Sequence, residues 1–193
     1  LDLKALIRNS PIAVVGSFLI GVSNGAFGTL GVVFGGAIDL GVTTIATMMS
    51  LSLLAGSLFQ IPVGFASDKH DRRLVLMVLA IAAAAVDLIF ILLQPTEPAF
   101  VLIVTFVFGG VIYAMYPVLI AHAYDHAEPG SYLRISGGLL LVYGLGNIIG
   151  PLIAGAAMSI SPAGLFATTL VAHLAIAGYA LYRMTQRMPV PQA

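Results

Sequence analysis

The chain has 193 residues, of which 60% are hydrophobic and 8% are charged, and its formal net charge at pH 7 is zero. Soluble domains carry about 25% charged residues, so this composition excludes an ordinary soluble domain and indicates a membrane protein. A net charge of zero implies no polyanionic partner such as nucleic acid. There is no cysteine, and four histidines without cysteine do not predict a metal site or another cofactor.

Six apolar stretches are long enough to cross a bilayer as helices, since a span needs about 20 mostly apolar residues. Turn-forming residues separate the stretches, and the alternating pattern of barrel strands is missing. We therefore predict an all-α membrane protein with six transmembrane helices, at about 11–38, 43–66, 74–93, 99–123, 135–159 and 163–183.

The basic residues indicate the orientation of these spans. With six spans, all eight basic residues fall on one side of the membrane, namely Lys4, Arg8, Lys69, Arg72, Arg73, Arg134, Arg183 and Arg187. The loops on the other side contain Asp39 and Glu97 but no lysine or arginine. The positive-inside rule therefore predicts that both termini are cytoplasmic.

Small residues are frequent inside the spans, and small residues let helices approach closely within lipid. In the fifth span, Gly150 precedes Pro151, and a proline inside a helix removes one hydrogen bond and favours a bend. This step is either a functional hinge or plain packing, and the residues alone favour neither.

The loop after the second span, residues 64–73, reads GFASDKHDRR. It resembles the signature loop of the major facilitator superfamily, roughly G-x-L/A-x-D-R/K-x-G-R/K-R/K, with Asp71 where a second glycine is usual. Residues 146–155, GNIIGPLIAG, are similar to a glycine–proline motif in fifth or eleventh helices of drug/proton antiporters of that superfamily. Residues 121–125 and 136–144 look like its YcaD-type subgroup.

Members of this superfamily have two six-helix halves, each built from two inverted three-helix repeats. The resemblance therefore implies that the chain is a C-terminal half. Residues 1–10 are then the end of a cytoplasmic linker, 11–183 the six-helix half, and 184–193 a cytoplasmic tail. Its expected partners are the lipid bilayer and either a missing N-terminal half or a second six-helix copy. A fragment within a larger complex is the other alternative.

The resemblance also implies that the charged loop biases a transporter between two conformations. The alternative is a solvated loop that enforces topology. His122 and Asp125 close the fourth span and are further gate candidates, which can bind each other or the loop. The candidate gating residues in the motifs and in the other cytoplasmic loop are Gly64, Asp68, Lys69, Arg72, Arg73, Arg134, Gly150 and Pro151.

Asp87 is the only carboxylate well inside a span, where a charge is expensive and indicates function by default. Desolvation disfavours its charged form, which makes it a candidate proton carrier. By the resemblance, third and sixth helices are peripheral, which favours a structural hydrogen bond instead. The same placement favours a packing role for His173, near the middle of the sixth span.

By analogy with the superfamily, the first and fourth helices of the half line the solute cavity. Asn24, Phe27, Tyr113 and Tyr116 are then the candidates for solute contact, with packing as the alternative for both tyrosines. A mostly apolar cavity with few charges suits lipophilic or weakly polar solutes.

The sequence thus predicts half of a secondary active transporter that moves a small solute by alternating access, in the bacterial inner membrane. Proton coupling through Asp87 is an additional possibility. The alternative is a non-transporting structural or assembly subunit of a larger membrane complex. We do not predict an enzyme, because the spans show no nucleophile–base set.

Overall fold

The computed structural model of the chain describes residues 10–125, 127–128 and 130–186. This part contains six helices, α1 (Pro11–Ala37), α2 (Val42–Lys69), α3 (Arg72–Leu93), α4 (Pro98–Asp125), α5 (Tyr132–Met158) and α6 (Gly164–Gln186). Each helix is long and apolar enough to cross a membrane. The six predicted spans are confirmed, with ends that differ by at most three residues. Lys4, Arg8 and Arg187, with most of the proposed linker end and tail, lie outside the described residues.

Polar residues at the helix ends explain why the helices start where they do. Asp71 precedes α3, and its Oδ1 accepts a hydrogen bond from the backbone nitrogen of Arg73 at 2.9 Å. The carboxylate of Glu97 precedes α4 and accepts hydrogen bonds from the backbone nitrogens of Ala99 and Phe100, at 3.1 and 2.6 Å. A carboxylate at a helix N-terminus satisfies free backbone donors and is favoured by the helix dipole.

The helices pack in a pattern that occurs twice. α1 makes its most extensive contacts with α5 and also packs against α6, whereas α4 makes its most extensive contacts with α2 and also packs against α3. α3 and α6 pack against each other, as do α1 and α4. In this pattern α4, α5 and α6 take the places of α1, α2 and α3, so the two sets of three helices are structural repeats. Because three spans reverse the direction of the chain, the second repeat is inverted relative to the first.

Glycines allow the closest helix crossing, between α1 and α5. A methyl group added at Gly146 would lie 2.2 Å from the carbonyl oxygen of Phe18, and one at Gly150 would lie 2.2 Å from that of Val22. At the equivalent crossing of α4 and α2, a methyl group at Gly109 would lie 2.3 Å from the carbonyl oxygen of Ser52. Backbone therefore packs directly on backbone at both crossings, which is how helices gain contact in lipid.

The α1–α5 crossing also accommodates the proline of α5. Pro151 has no N–H to offer the carbonyl of Asn147, although α5 continues through it. Gly25 of α1 packs beside this carbonyl, because a methyl group at Gly25 would lie 2.6 Å from the Asn147 oxygen. Gly150 thus has a packing role, and a hinge at Gly150–Pro151 remains a proposal.

Five phenylalanines form the centre of the core. The rings of Phe90 and Phe166 stack with centroids 4.0 Å apart, and Phe34 meets Phe166 edge-on at 4.9 Å. Phe27 meets Phe108 edge-on at 5.1 Å and is fully buried. This placement corrects the expectation that Phe27 faces a solute cavity. Because α1 packs against α4, α5 and α6, much of its surface is inside the half, and Phe27 lies on that inner side.

The glycine crossing leads to a stability prediction. Gly146→Ala should lower the free energy of unfolding by about 1–3 kcal/mol, the usual range for overpacking. Gly144→Ala is the matched control, because a methyl group there meets no atom within 4 Å. The control should be neutral or stabilising by up to about 1 kcal/mol, since alanine favours helix over glycine. Thermal unfolding of the detergent-solubilised protein measures both, and equal effects would contradict the assigned role of Gly146.

Candidate functional site

A network of charged residues joins the ends of α2, α3 and α4. Arg72 donates from Nε to Asp125 Oδ2 at 2.6 Å, and from Nη1 to Asp68 Oδ1 at 3.2 Å and to Ser67 Oγ at 2.7 Å. The Arg72 side chain is only 16% exposed. The structure therefore brings three of the predicted gating residues together, with Arg72 at their centre.

A second ion pair explains the departure from the superfamily's loop pattern at Asp71. Arg73 donates from Nη2 to Asp71 Oδ2 at 2.7 Å, and from Nη1 to the carbonyl oxygen of Arg183 at 3.0 Å. Burial alone would raise the pKa of Asp71, but the hydrogen bonds and charge of Arg73, with the charge of His122, hold that pKa below its ordinary value of 3.8. Asp71 thus orients Arg73, which ties the start of α3 to the end of α6.

Other predicted gating residues lie apart from this network. Lys69 and Arg134 are exposed, and neither forms an ion pair within residues 10–125, 127–128 and 130–186. Gly64 lies on α2, where an added methyl group would meet no atom within 4 Å. Arg134, a predicted gating residue, thus forms no ion pair with residues 64–73 in the described part of the chain.

A cluster of polar aromatic residues lies near the middle of α1, α4 and α5. Asn24 donates from Nδ2 to Tyr143 Oη at 3.3 Å, and the rings of Tyr143 and Tyr116 are 4.5 Å apart between centroids. Asn24 is 5% exposed, and its Oδ1 and the Tyr116 hydroxyl are buried without a hydrogen-bond partner in the described part of the chain. Tyr113 is half-buried between α1 and α2, against Gly28 and close to Gly56. Three of the four predicted cavity residues thus belong to this central cluster.

Tyr143 is a member of the cluster that the sequence did not indicate. It lies on α5, which the analogy does not count among the cavity-lining helices. The glycine crossing brings α5 so close to α1 that the Tyr143 hydroxyl reaches Asn24. Only the density of glycines in both spans could have suggested this approach.

A buried chain of hydrogen bonds links α3, α6 and α1. Thr169 donates to Asp87 Oδ1 at 2.6 Å, His173 Nδ1 lies 2.6 Å from Asp87 Oδ2, and Ser23 Oγ lies 2.8 Å from His173 Nε2. Asp87, His173 and Thr169 are fully buried, and Ser23 is 1% exposed. The sequence indicated Asp87 and His173 separately, but it missed Ser23, which resembles any other small polar residue in a span.

This arrangement corrects the statement that the spans contain no nucleophile–base set. Ser23, His173 and Asp87 are connected in the order of a serine hydrolase triad. However, Ser23 is buried among three helices, so an acyl substrate has no approach to its hydroxyl in this conformation. The chain of hydrogen bonds fixes α1, α3 and α6 relative to one another. In the described residues, no group of three or more His, Cys, Asp or Glu side chains is placed to hold a metal ion.

Six helices long and apolar enough to cross a membrane, packed as two inverted repeats, define a helical integral membrane protein. The family model described as Major Facilitator Superfamily matches residues 13–192, and the chain belongs to that superfamily. The predicted resemblance is thereby confirmed.

Similar proteins include those named uncharacterized MFS-type transporter YcaD. The protein from Salmonella arizonae and the one from Escherichia coli O17:K52:H18 are each 27% identical to this chain over 145 residues. The match covers 75% of this chain but 37% of each relative. The matched part of the chain therefore corresponds to a little over a third of the length of these relatives.

The lowered pKa of Asp71 predicts a dependence of stability on pH. A carboxylate with a lowered pKa in the folded state stabilises the fold above its unfolded pKa, and this contribution is lost as the pH falls through the folded pKa. Asp71→Asn should therefore lower the unfolding midpoint at neutral pH, and the difference from wild type should disappear as the pH falls below about 3.8. Asp39→Asn, at an exposed turn, is the control. A difference that persists undiminished in acid would contradict the ion-pair role.

Proposed function

We propose that the chain is the C-terminal half of a secondary active transporter, which moves a small solute across the bacterial inner membrane by alternating access. The observation that carries this proposal is the central cluster of Asn24, Tyr113, Tyr116 and Tyr143. Two of its buried polar atoms, Asn24 Oδ1 and the Tyr116 hydroxyl oxygen, have no hydrogen-bond partner among the described residues. The family, the transporter names of the relatives and the charged network at one end of the bundle support it.

The central cluster is the proposed solute site. Asn24 is the fourteenth of 27 residues in α1, about 20 Å from the start of the helix and so near the bilayer midplane. Buried polar atoms are nearly always hydrogen-bonded, so the free Asn24 Oδ1 and Tyr116 hydroxyl suit a bound solute. The cluster contains three aromatic rings and no charged side chain, which suits a weakly polar solute.

The charged network is the proposed cytoplasmic gate. Alternating access requires contacts that form in one conformation and break in the other. The Arg72–Asp125 ion pair links the α2–α3 loop to the end of α4, and its partial exposure allows exchange with water. His122, Lys69 and Asp68 are at the same end, and Gly150–Pro151 is the proposed hinge.

The proposed orientation places the charged network in the cytoplasm. The described basic residues all lie at the end of the bundle where Arg72 meets Asp125 and Arg73 meets the last turn of α6. By the positive-inside rule, both termini are then cytoplasmic.

The proposed partner surfaces are on α2 and α5, the two helices with the smallest buried share. Since the chain matches only 37% of its relatives, we propose an N-terminal half as the partner that completes the transporter, with a second copy as the alternative. Lipid covers the remaining apolar surface. The exposed large side chains on these helices include Leu53, Leu54, Leu58, Ile61, Leu141, Leu145, Ile148 and Leu152.

The second candidate function is a non-transporting structural or assembly subunit of a larger membrane complex. The observation that favours it is the lack of a carboxylate near the middle of α1 or α4, the helices that carry Asn24, Tyr113 and Tyr116. The same glycine-rich packing and apolar faces would serve docking.

Solute binding tests the proposed function. We expect that weakly polar aromatic compounds, screened by thermal shift and then by uptake into proteoliposomes, bind the full-length protein. Asn24→Ala and Tyr116→Phe should each weaken such binding about 2- to 10-fold, the effect of one net hydrogen bond. Tyr179→Phe, on α6 and outside the cluster, is the matched control. If no compound in the panel binds or is transported, the assembly-subunit alternative is favoured.

The gate predicts non-additive effects of two substitutions. In a cysteine-free background, Thr29→Cys provides a reporter on the exposed side of α1. Arg72→Ala and Asp125→Ala should each raise the rate at which a thiol reagent in the cytoplasm modifies this reporter, and the double variant should show little further change. The coupling should be about 0.2–1 kcal/mol, as for other exposed ion pairs. Additive effects, or an equal effect of the control Arg134→Ala, would contradict the gate.

A further inference from the structure

Asp87 and His173 occupy the middle of the hydrogen-bond chain, between two hydroxyl groups. An ionised carboxylate only accepts hydrogen bonds, so Asp87 accepts from Thr169 at one oxygen and from the Nδ1–H of His173 at the other. The remaining ring nitrogen, Nε2, faces the hydroxyl of Ser23. When His173 is neutral, Ser23 donates to Nε2 and every atom of the pair is satisfied.

The same atoms can hold one more proton without leaving a polar group unsatisfied. A proton on Nε2 turns that nitrogen into a donor, and Ser23 Oγ then accepts from it, since a hydroxyl both donates and accepts. The Ser23 hydrogen can turn to a carbonyl oxygen of the preceding turn of α1, a bond that serine often makes in helices. A backbone N–H in the place of the Ser23 hydroxyl could only donate to Nε2, and a carbonyl could only accept from it. Neither could bond Nε2 in both its deprotonated and its protonated form. The hydroxyl at this position is therefore suited to a group whose proton number changes.

Removal from water makes the extra proton favourable. With neutral His173 the pair carries one net negative charge, and protonation of Nε2 makes the pair neutral overall. Net charge inside a bilayer is expensive, whereas a closely bonded ion pair is less so. The ring of Phe108 packs at 5.9 Å from the imidazole and helps to shield it from water.

The other ionisable groups on the surrounding helices do not compensate the charge of the pair. α1 contains none, and Arg72 and Arg73 lie at the start of α3, about 21 Å or more along the helix from Asp87. No hydrogen bond or ion pair in residues 10–125, 127–128 and 130–186 joins the remaining groups to Asp87 or His173. These remaining groups are Tyr113, Tyr116, His122, Tyr124 and Asp125 on α4, Tyr132, Arg134 and Tyr143 on α5, and Tyr179, Tyr182 and Arg183 on α6.

Ser23 connects the buried pair to the central cluster because Asn24 is the next residue of α1. Successive side chains of a helix point about 100° apart, so Ser23 faces His173 of α6 while Asn24 faces Tyr143 of α5. A change in the hydrogen bonding of Ser23 acts on the backbone that also positions Asn24.

We propose that Asp87 and His173 form a proton-binding site, in which His173 Nε2 takes up one proton, and that Ser23 transmits this change to α1. Proton binding is a property of this half alone. Its consequence for solute movement rests on the proposed transport function. Because the pair is buried among α1, α3 and α6, the proton exchanges only when these helices separate during the change of conformation.

Nuclear magnetic resonance of isotopically labelled histidine in the full-length protein tests the proton site directly. His173→Gln identifies the His173 signals by their loss. We expect the Nε2 signal of His173 to change from its acceptor to its donor form as the pH is lowered across the range in which the protein stays folded. Ser23→Ala should shift the midpoint of this change. Ser17→Ala is the matched control, since Ser17 is a buried serine of α1 whose hydroxyl has no partner within the described chain.

A His173 signal that keeps one form throughout this pH range overturns the proton site. Equal shifts in Ser23→Ala and Ser17→Ala overturn the assignment of Ser23. Neither result depends on a solute, so both are distinguishable from failure of the proposed transport function.

The Thr29→Cys reporter tests the link to α1. Only the thiolate of the reporter reacts, so each modification rate is first corrected for the thiolate fraction at that pH. In the wild type, the corrected rate should change over the same pH range as the His173 signal, and Ser23→Ala should abolish that change while Ser17→Ala retains it. Retention of the pH dependence in Ser23→Ala would overturn transmission through Ser23. If both parts hold but the panel of aromatic compounds shows no binding or uptake, the proton site stands and the transport proposal fails.

Discussion

Lipid offers no hydrogen bonds, so a polar side chain within the spans is stabilised when it finds a partner on another helix or on its own backbone. This constraint organises the interior of the half. Asp87 on α3 is satisfied only because α6 brings Thr169 and His173 to its two carboxylate oxygens. His173 is completed in turn by Ser23 of α1. Three helices are thus held in register by one chain of polar contacts, surrounded by the phenylalanine core.

Close packing of backbone on backbone also organises the interior. At the α1–α5 crossing, Gly146 and Gly150 place backbone against backbone, and this approach also puts the Tyr143 hydroxyl within reach of Asn24. The same glycines that hold the helices together therefore build the central cluster. The cluster contains polar atoms without a partner among the described residues, namely Asn24 Oδ1 and the Tyr116 hydroxyl. The chain around Asp87 differs, because both carboxylate oxygens are hydrogen-bonded.

At the charged end of the bundle, water can hydrogen-bond to polar side chains, so their contacts with other residues need not be permanent. Arg72 bridges three helix ends through partly exposed contacts that can break and re-form at small free-energy cost. Asp71 replaces a glycine of the superfamily's usual pattern, and its role as cap of α3 and partner of Arg73 gives that replacement a physical reason. α1 joins the buried chain around Asp87 to the central cluster, because it carries both Ser23 and Asn24.

The sequence by itself determined the class of protein, the number of spans and the family, because these follow from composition, span length and a local motif. It also indicated Asn24, Asp87 and His173 as polar residues inside the spans, and the resemblance to the superfamily added Tyr113 and Tyr116. Only the tertiary structure decided which of them meet. Phe27 turned into the core, Tyr143 entered the cluster, and Ser23 joined Asp87 to His173, because helix rotation and crossing angle depend on packing between segments that lie as far as 150 positions apart in the chain.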